Sequence, residues 1–372
     1  MKAVTACLMR GGTSKGLYFL AKDLPLDVHR RNAFLLSAMG SPDSRQIDGI
    51  GGSHPLTSKV AVVNPSSNPA ADVDYLFLQV AVDKAQVSDT QNCGNILAGV
   101  GAFAIEQGLV KAQDTTTDVR IRMVNTNTFA VVRVQTPNGV VNYEGSASID
   151  GVPNTAAPVY IDFLDVAGSS CGSLFPTGAA QNTVEEINIT CIDNGMPVVL
   201  IDAHSLGLKG SETPEQLESN AALKQKVEAI RLKAGEMMQL GDVTAKTVPK
   251  MTIISAPLNG GDINTRTFIP HRVHDAIGVL GSVSVATACL AKGTVAYDLY
   301  RRHCAKRDNE LQSAVPLAIE HPTGAFKVDM EVANADAFET FEVKRAALLR
   351  TARLLMQGTV FAPDSDPTLA HE

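Results

Sequence analysis

Two stretches decide how this chain is read: Asn92-Cys-Gly-Asn-Ile-Leu-Ala-Gly-Val-Gly-Ala-Phe-Ala-Ile-Glu-Gln-Gly108-Leu-Val110 and Ile277-Gly-Val-Leu-Gly-Ser-Val-Ser-Val-Ala-Thr-Ala-Cys-Leu-Ala-Lys-Gly293-Thr-Val295. They align without a gap at an offset of 185, and each takes in most of an uncharged run of sixteen residues, 90–105 and 276–291. A helix that is apolar on every side must be surrounded by protein. Sixteen residues fall short of the ~20 that a membrane span needs. The Gly, Ala and Ser content lets neighbouring backbone come close. The pattern predicts one buried central helix in each half, with Gly108 and Gly293 as C-terminal stops.

Short β-branched segments bounded by Gly, Pro, Asn and Asp surround each run. They predict strands at 2–9, 59–64, 73–82, 119–124 and 129–135, and again at 187–192, 197–201, 252–256 and 264–269. A doubly wound sheet would need amphipathic helices alternating with strands, and these are too few. Two copies of a curled sheet wrapped on one helix is the economical solution. It gives an α+β fold of two domains, 1–185 and 186–349. One amphipathic helix is predicted at 214–239, with Thr213 as N-cap, Pro214 at the first position and Gln216 completing a capping box. The polar tail 364–372 is expected to be disordered.

The length, 372 residues, suits two domains. With 45% apolar and 19% charged residues the chain is a packed globular protein. Its 32 basic and 39 acidic residues give a net charge of −7, which offers no field for nucleic acid or an anionic membrane. Six scattered cysteines without a CxxC predict reduced thiols in a cytoplasmic protein. The residues before Arg10 fit a first strand better than a secretory signal. Aromatic residues reach only 5%, Trp is absent and Gly numbers 29, so small residues carry an unusual share of turning and packing.

Familiar signatures fail on their own terms. Gly12-Thr-Ser-Lys15-Gly16 lacks P-loop spacing, and Gly99-Val-Gly-Ala-Phe-Ala104 matches a dinucleotide fingerprint only inside a predicted helix. His271 and His274 have no third ligand nearby, so no metal and no cofactor are expected. What remains are polar residues in glycine-rich turns. Met9-Arg10-Gly-Gly12-Thr13-Ser14-Lys-Gly16 is either a tight turn or a nest of backbone N–H groups for an anion. Lys59, behind Thr57 and Ser58, opens an apolar strand. It is a solvated edge charge or, if drawn into a pocket, a general base. Cys93 precedes the first buried helix, where free N–H groups favour a thiolate or a bound anion; a buried inert thiol is the alternative. Gly94 and Asn95 would offer their N–H groups to a carboxylate at the same place. Arg266, His271, Arg272 and His274 stand just before the second buried helix, as carboxylate clamps or as solvated charge. In the repeat, Gly278 stands opposite Cys93, so the second half has no matching thiol.

These segments carry a resemblance through nearly the whole chain. Arg-Gly-Gly-Thr-Ser-Lys-Gly at 10–16, Gln-Ile-Asp-Gly-Ile-Gly-Gly at 46–52, Thr-Ser-Lys at 57–59 and Asn-Cys-Gly-Asn at 92–95 resemble the relatives of the propionate-pathway aconitate isomerase. Cys191-Ile-Asp-Asn-Gly-Met-Pro197, Asn264-Thr-Arg-Thr-Phe-Ile-Pro-His271 and Arg350-Thr-Ala-Arg-Leu-Leu355 extend the likeness. The family shares the diaminopimelate epimerase-like fold. The resemblance therefore implies two pseudo-symmetric, barrel-like, mostly antiparallel domains, a site in the cleft between halves, and a C-terminal strand at about 350–362 that returns to the first domain.

The same resemblance implies a cofactor-independent isomerase of a small unsaturated tricarboxylate or dicarboxylate. Lys59 and Cys93 would be catalytic, and Arg10, Gly12, Thr13, Ser14, Ser58, Asn92, Gly94, Asn95, Arg266 and His271 would bind substrate. Residues 91–101 and 285–289 are most like the branch that tautomerises an unsaturated keto acid in gallate breakdown. A sister branch acts on 2-methylaconitate or methylitaconate. A non-catalytic metabolite-binding protein is the rival from another class, and the presence of both Lys59 and Cys93 speaks against it. A homodimer is left open.

Overall fold

The computed structural model describes residues 2–89, 92–164, 166–244, 246–269, 272–304 and 315–363. The elements in order are β1 (Lys2–Gly11), β2 (Ser14–Leu20), α1 (Val28–Met39), β3 (Lys59–Pro65), β4 (Val73–Val80), β5 (Val87–Ser88), α2 (Gly94–Glu106), β6 (Thr115–Met123), β7 (Thr128–Thr136) and β8 (Pro158–Leu164). There follow β9 (Asn182–Val184), β10 (Ile187–Asp193), β11 (Pro197–Asp202), α3 (Pro214–Ser219), α4 (Ala221–Met237), β12 (Lys250–Ser255), β13 (Ile263–Phe268), α5 (Val279–Leu290), α6 (Val295–Cys304), β14 (Val315–His321), β15 (Gly324–Ala333) and β16 (Glu342–Ala362). The chain forms two compact units. The first is Met1–Leu164 with Leu349–Glu372, and the second is Asp165–Leu348. The border falls some twenty residues before the sequence-derived one, and the tail 364–372 lies outside the described residues.

In the first unit the strand order β1-β2-β3-β4-β6-β7-β8-β16 returns on itself, because β16 also pairs with β1. These eight strands make a closed barrel. The β2–β3 and β4–β6 pairings are parallel, whereas β1–β2, β3–β4, β6–β7, β7–β8 and β1–β16 are antiparallel. Period-2 alternation gives each strand two faces. Val60, Val62, Leu78, Val80, Leu17 and Phe19 form one core with Phe34, Leu35, Ala38 and Met39 of α1 on the outside. The alternate residues face α2, which packs against β1, β2, β3, β4, β6, β7 and β8. Ile96 through Ala104 are all buried, as an all-round apolar helix requires. Fully burying a side chain such as Leu97 or Phe103 contributes about 1.5–3 kcal/mol. Gly101 lets Val132 and Val134 approach, since a Cβ there would lie 2.9 Å from Val134.

The second unit repeats the order of pairings but not the ring, since among the described residues no pairing joins β9 or β10 to β16. Its order is β9-β10-β11-β12-β13-β14-β15-β16, with β11–β12 and β13–β14 parallel and β10–β11, β12–β13, β14–β15 and β15–β16 antiparallel. The sequence of pairings from β10 onward is that from β1 onward. α5 takes the place of α2, with Gly281 through Leu290 buried. The offset of 185 carries the N-cap Cys93 of α2 onto the N-cap Gly278 of α5. Gly108 follows the C-cap of α2 in a left-handed conformation, whereas α5 stops earlier because Ala291 is already extended. α3 and α4 cover the outer face, where Leu217, Leu223, Val227 and Ile230 meet Met251, Ile253 and Phe268.

The helix expected at 214–239 is two. The Thr213 capping box forms as read, but Asn220 leaves helical geometry and caps α4 through Leu223 N–H. Short polar side chains compete with helical hydrogen bonding in this way. β2, α1, β8, β14, β15 and α6 had no expected counterpart. No single described helix is long and apolar enough to cross a membrane.

Lys250 opens β12 as Lys59 opens β3, in each case beside a parallel neighbour. Burial, with Arg231 nearby, pulls the Lys250 amine from the ordinary 10.5 down to about 8. Between these values the unfolded chain binds the extra proton, so this group's contribution makes folding more favourable as pH rises from about 8 to 10.5. Lys250→Met is therefore expected to raise the urea midpoint at pH 7, with a gain that shrinks toward pH 10.5. A second test concerns Gly11, where a Cβ would lie 2.4 Å from the Asn95 carbonyl of α2. Gly11→Ala should cost about 1–3 kcal/mol in urea unfolding, because backbone must move to admit one methyl group.

Candidate active site

One end of the first unit gathers most of the residues singled out above. The β1–β2 hairpin tips at Gly12 and Thr13, β3 runs from Lys59 parallel to β2, and antiparallel β4 finishes at Val80. α2 begins at the same end. A Cβ on Gly12 would fall 2.2 Å from Asn95 Oδ1, and Gly12 has a φ of 51°. Glycine is required here twice over, for the left-handed backbone and for the close approach. Asn95 Nδ2 donates to Thr13 Oγ1 at 3.1 Å, tying the hairpin to the first turn of the helix.

The start of α2 is held from below by two buried tyrosines. Tyr18 donates its hydroxyl to Ile96 O at 2.6 Å, and Tyr75 donates to Cys93 O at 3.3 Å. Burial first, then the neighbouring Cys93 thiol, pushes both phenols well above their ordinary range, so they stay neutral donors. Cys93 is the N-cap, and its side chain makes no capping hydrogen bond. The first-turn N–H groups of a helix carry the positive end of its dipole and favour an anion. Ser14 Oγ, Asn92 Oδ1 and Asn95 Oδ1 are buried and without a hydrogen-bond partner among the described residues. Asn92 Nδ2 donates to Thr126 Oγ1 at 2.5 Å. Ser14 shares its strand face with Tyr18, and so points to the α2 side.

Cys93 is the exception among the described thiols. Cys7, Cys171, Cys191 and Cys289 are buried and Cys93 only half-buried, and none is in a disulfide. Burial pushes Cys7 up to about 11 and Cys171 and Cys191 to about 12, which leaves those thiols protonated and inert.

Lys59 is 7% exposed on the α2-facing side of β3. Its Nζ lies 5.0 Å from the Phe77 ring centroid and donates to Gln79 Oε1 at 2.7 Å. The turn before it is braced by Gln46, whose Nε2 donates to Ser41 Oγ and to the buried Ser58 Oγ, while its Oε1 accepts from Ser53 N–H. The glycines of 46–52 make room for that amide: a Cβ on Gly51 would sit 2.2 Å from it. The Ser58 hydroxyl thus faces Gln46. Arg10 NH1 donates to Gly12 O, Thr351 O and Thr351 Oγ1 at 2.9–3.0 Å, fixing the hairpin tip to the returning β16.

Arg266 belongs to the second unit. It lies on β13 and is 7% exposed; Nε donates to Glu212 O, and NH1 to Asn264 Oδ1 and Thr265 O. His271 lies outside the described residues. Arg272 and His274 line an open cavity of about 470 Å³ together with Glu215, Glu218 and Asp275. Three carboxylates make it a poor seat for a polyanion. Among the described residues no three His, Cys, Asp or Glu side chains gather to hold a metal.

Four residues of the two ends escaped the sequence reading. Tyr18 and Tyr75 read as ordinary core aromatics. Gln79 meets Lys59 only through the β3–β4 register, which the intervening turn decides. Lys250 could have been found, since Pro249-Lys-Met-Thr-Ile-Ile254 repeats the pattern of Ser58-Lys-Val-Ala-Val-Val63.

Comparison with known proteins shows the family. A family model described as PrpF protein matches residues 1–363. The (4E)-oxalomesaconate Delta-isomerase of Novosphingobium sp. is 55% identical over 367 residues, 97% of this chain and 98% of that protein. The 4-oxalomesaconate tautomerase of Pseudomonas putida is 54% identical over 357 residues, 96% of this chain and 95% of that protein. Among solved structures, a methylitaconate-delta-isomerase superposes with a TM-score of 0.87 at 32% identity, covering 99% of this chain and 98% of that one. Since the match runs from the first strand through the returning β16, the chain belongs to the PrpF protein family.

Proposed function

We propose that this protein is a cofactor-independent isomerase that interconverts the keto and enol or double-bond forms of 4-oxalomesaconate. The observation that carries this reading is a buried lysine, Lys59, held by an amide at the barrel end where Cys93 opens a central helix with uncapped N–H groups. Identities of 54–55% to proteins named for oxalomesaconate, against 32% to one named for methylitaconate, favour the keto acid over its sister substrates. The diaminopimelate epimerase-like arrangement of two pseudo-symmetric halves is part of the same reading.

A C–H next to a carbonyl and a conjugated acid is acidic, and moving its proton needs a base, an acid and donors for the developing enolate. Lys59 in its neutral form accepts the proton from carbon, and the C–H electron pair shifts into the conjugated carbonyl. Cys93 is the acid partner that delivers a proton to the other terminus of the shifted system. The N–H groups of Gly94 and Asn95, with Thr13 and Ser14, receive a carboxylate or the enolate oxygen. Arg10, Gly12, Asn92 and Ser58 complete the proposed binding set of this unit, Arg10 and Ser58 by shaping the turns that carry Thr13 and Lys59.

Lys59→Ala should slow exchange of the substrate's acidic C–H in heavy water by ~10²–10⁴-fold, the usual worth of a positioned base. Exchange at the wild-type rate would reject Lys59 as the base. Turnover followed by ultraviolet absorbance should be fastest with 4-oxalomesaconate. A faster rate with 2-methylaconitate or methylitaconate would move the protein to the sister activity.

A further inference from the structure

We infer that Gln79 is a positioning residue that aims the Lys59 amine; the inference rests on Lys59 acting as the base. Gln79 stands directly opposite Lys59 in the β3–β4 ladder, on the face that carries Phe77 and Tyr75 toward α2. Its Oε1 accepts from Lys59 Nζ at 2.7 Å. Its Nε2 donates to Ser58 O at 2.9 Å and to Pro55 O at 3.1 Å. Both partners are backbone carbonyls and can only accept, so the amide cannot be turned over without setting oxygen against oxygen.

The chemistry of that fixed oxygen suits a base. An amide oxygen accepts an N–H from an amine whether or not the amine is protonated. It therefore holds the nitrogen in both states of a proton-transfer cycle. A neutral amine bound through one N–H must point its lone pair elsewhere, away from Gln79. Phe77 packs beside the same nitrogen, 5.0 Å from ring centroid to Nζ, and narrows its freedom further. A carboxylate in this position would instead favour the ammonium form and leave less of the neutral amine that takes the proton from carbon. The loop that carries Ser58 is itself locked, because Gln46 Nε2 donates to Ser58 Oγ at 2.8 Å. Two glutamines thus grip consecutive residues: Gln46 holds the Ser58 side chain, and Gln79 holds the Ser58 carbonyl and the Lys59 amine.

The test compares Gln79→Leu, Lys59→Ala and the double variant by kcat, KM and substrate C–H exchange in heavy water, followed for days to reach residual rates. Gln79→Leu should lower kcat and exchange together by ~10–100-fold, as expected for a misaimed catalytic group, with KM changed less than about threefold. In the Lys59→Ala background it should cost nothing further. Near-wild-type kcat in Gln79→Leu, with Lys59→Ala inactive, overturns the positioning role and leaves the base role standing. Wild-type exchange in Lys59→Ala overturns the base role instead. An equal loss from Gln79→Leu with and without Lys59 shows a merely structural residue and also overturns the inference. If urea unfolding shows Gln79→Leu misfolded, Gln79→Met, which keeps the length without polar atoms, is measured in its place with the same criteria.

Discussion

A helix that is apolar on every side has no face to give to water, and everything in this protein follows from covering two of them. A flat sheet covers one side of a helix. Covering the whole circumference of α2 requires strands that curl until the first meets the last, and in the first unit β16 pairs with β1 to complete the ring. The strands must then be buried on both faces wherever a second helix covers them. For this reason β3 and β4 read as nearly continuous apolar runs, with α2 on one side and α1 on the other.

The same enclosure shapes the candidate site. Backbone groups inside the wall are satisfied by the helix and by the ladders, but the first turn of α2 has N–H groups that no strand can reach. They emerge where the β1–β2 hairpin tips over and β3 begins. The tip is glycine because Asn95 presses against it, and Asn95 is pressed there because the helix must sit deep in the barrel. Packing and binding chemistry share the same atoms. The tyrosines that carry the helix start do so with hydroxyls kept neutral by burial, each spending its one O–H on a backbone carbonyl, so the helix start is supported without adding charge.

The architecture was legible in the sequence because all-round hydrophobicity and a gap-free repeat are long-range signals. The two buried helices, their shared N-cap position and nine of the strands could be placed from composition and periodicity alone. The candidate site was legible as a group of polar turns, since Lys59, Cys93 and the 10–16 segment are conspicuous among apolar neighbours. What stayed hidden depends on register or on tertiary competition. Gln79 is an ordinary strand end until β3 and β4 are paired. Asn220 breaks an otherwise well-patterned helix because its side chain prefers to cap the next one. Lys59 itself shows the limit most clearly: spacing says that a lysine opens the strand, whereas only the fold says that it turns inward.

β16 is one unbroken strand whose first residues belong to the second unit and whose remainder closes the barrel of the first. During synthesis, residues 2–164 emerge with every strand of the barrel except the one that joins its ends. β1 then presents an open edge, the kind that recruits stray strands. The second unit, continuous in the chain from 165 to 348, is made in full before that edge can be sealed. The order in which the units are completed is therefore the reverse of the order in which they are begun. The unit that holds Lys59 and Cys93 is begun first and completed last, so it becomes competent only after the whole of the other unit has been made.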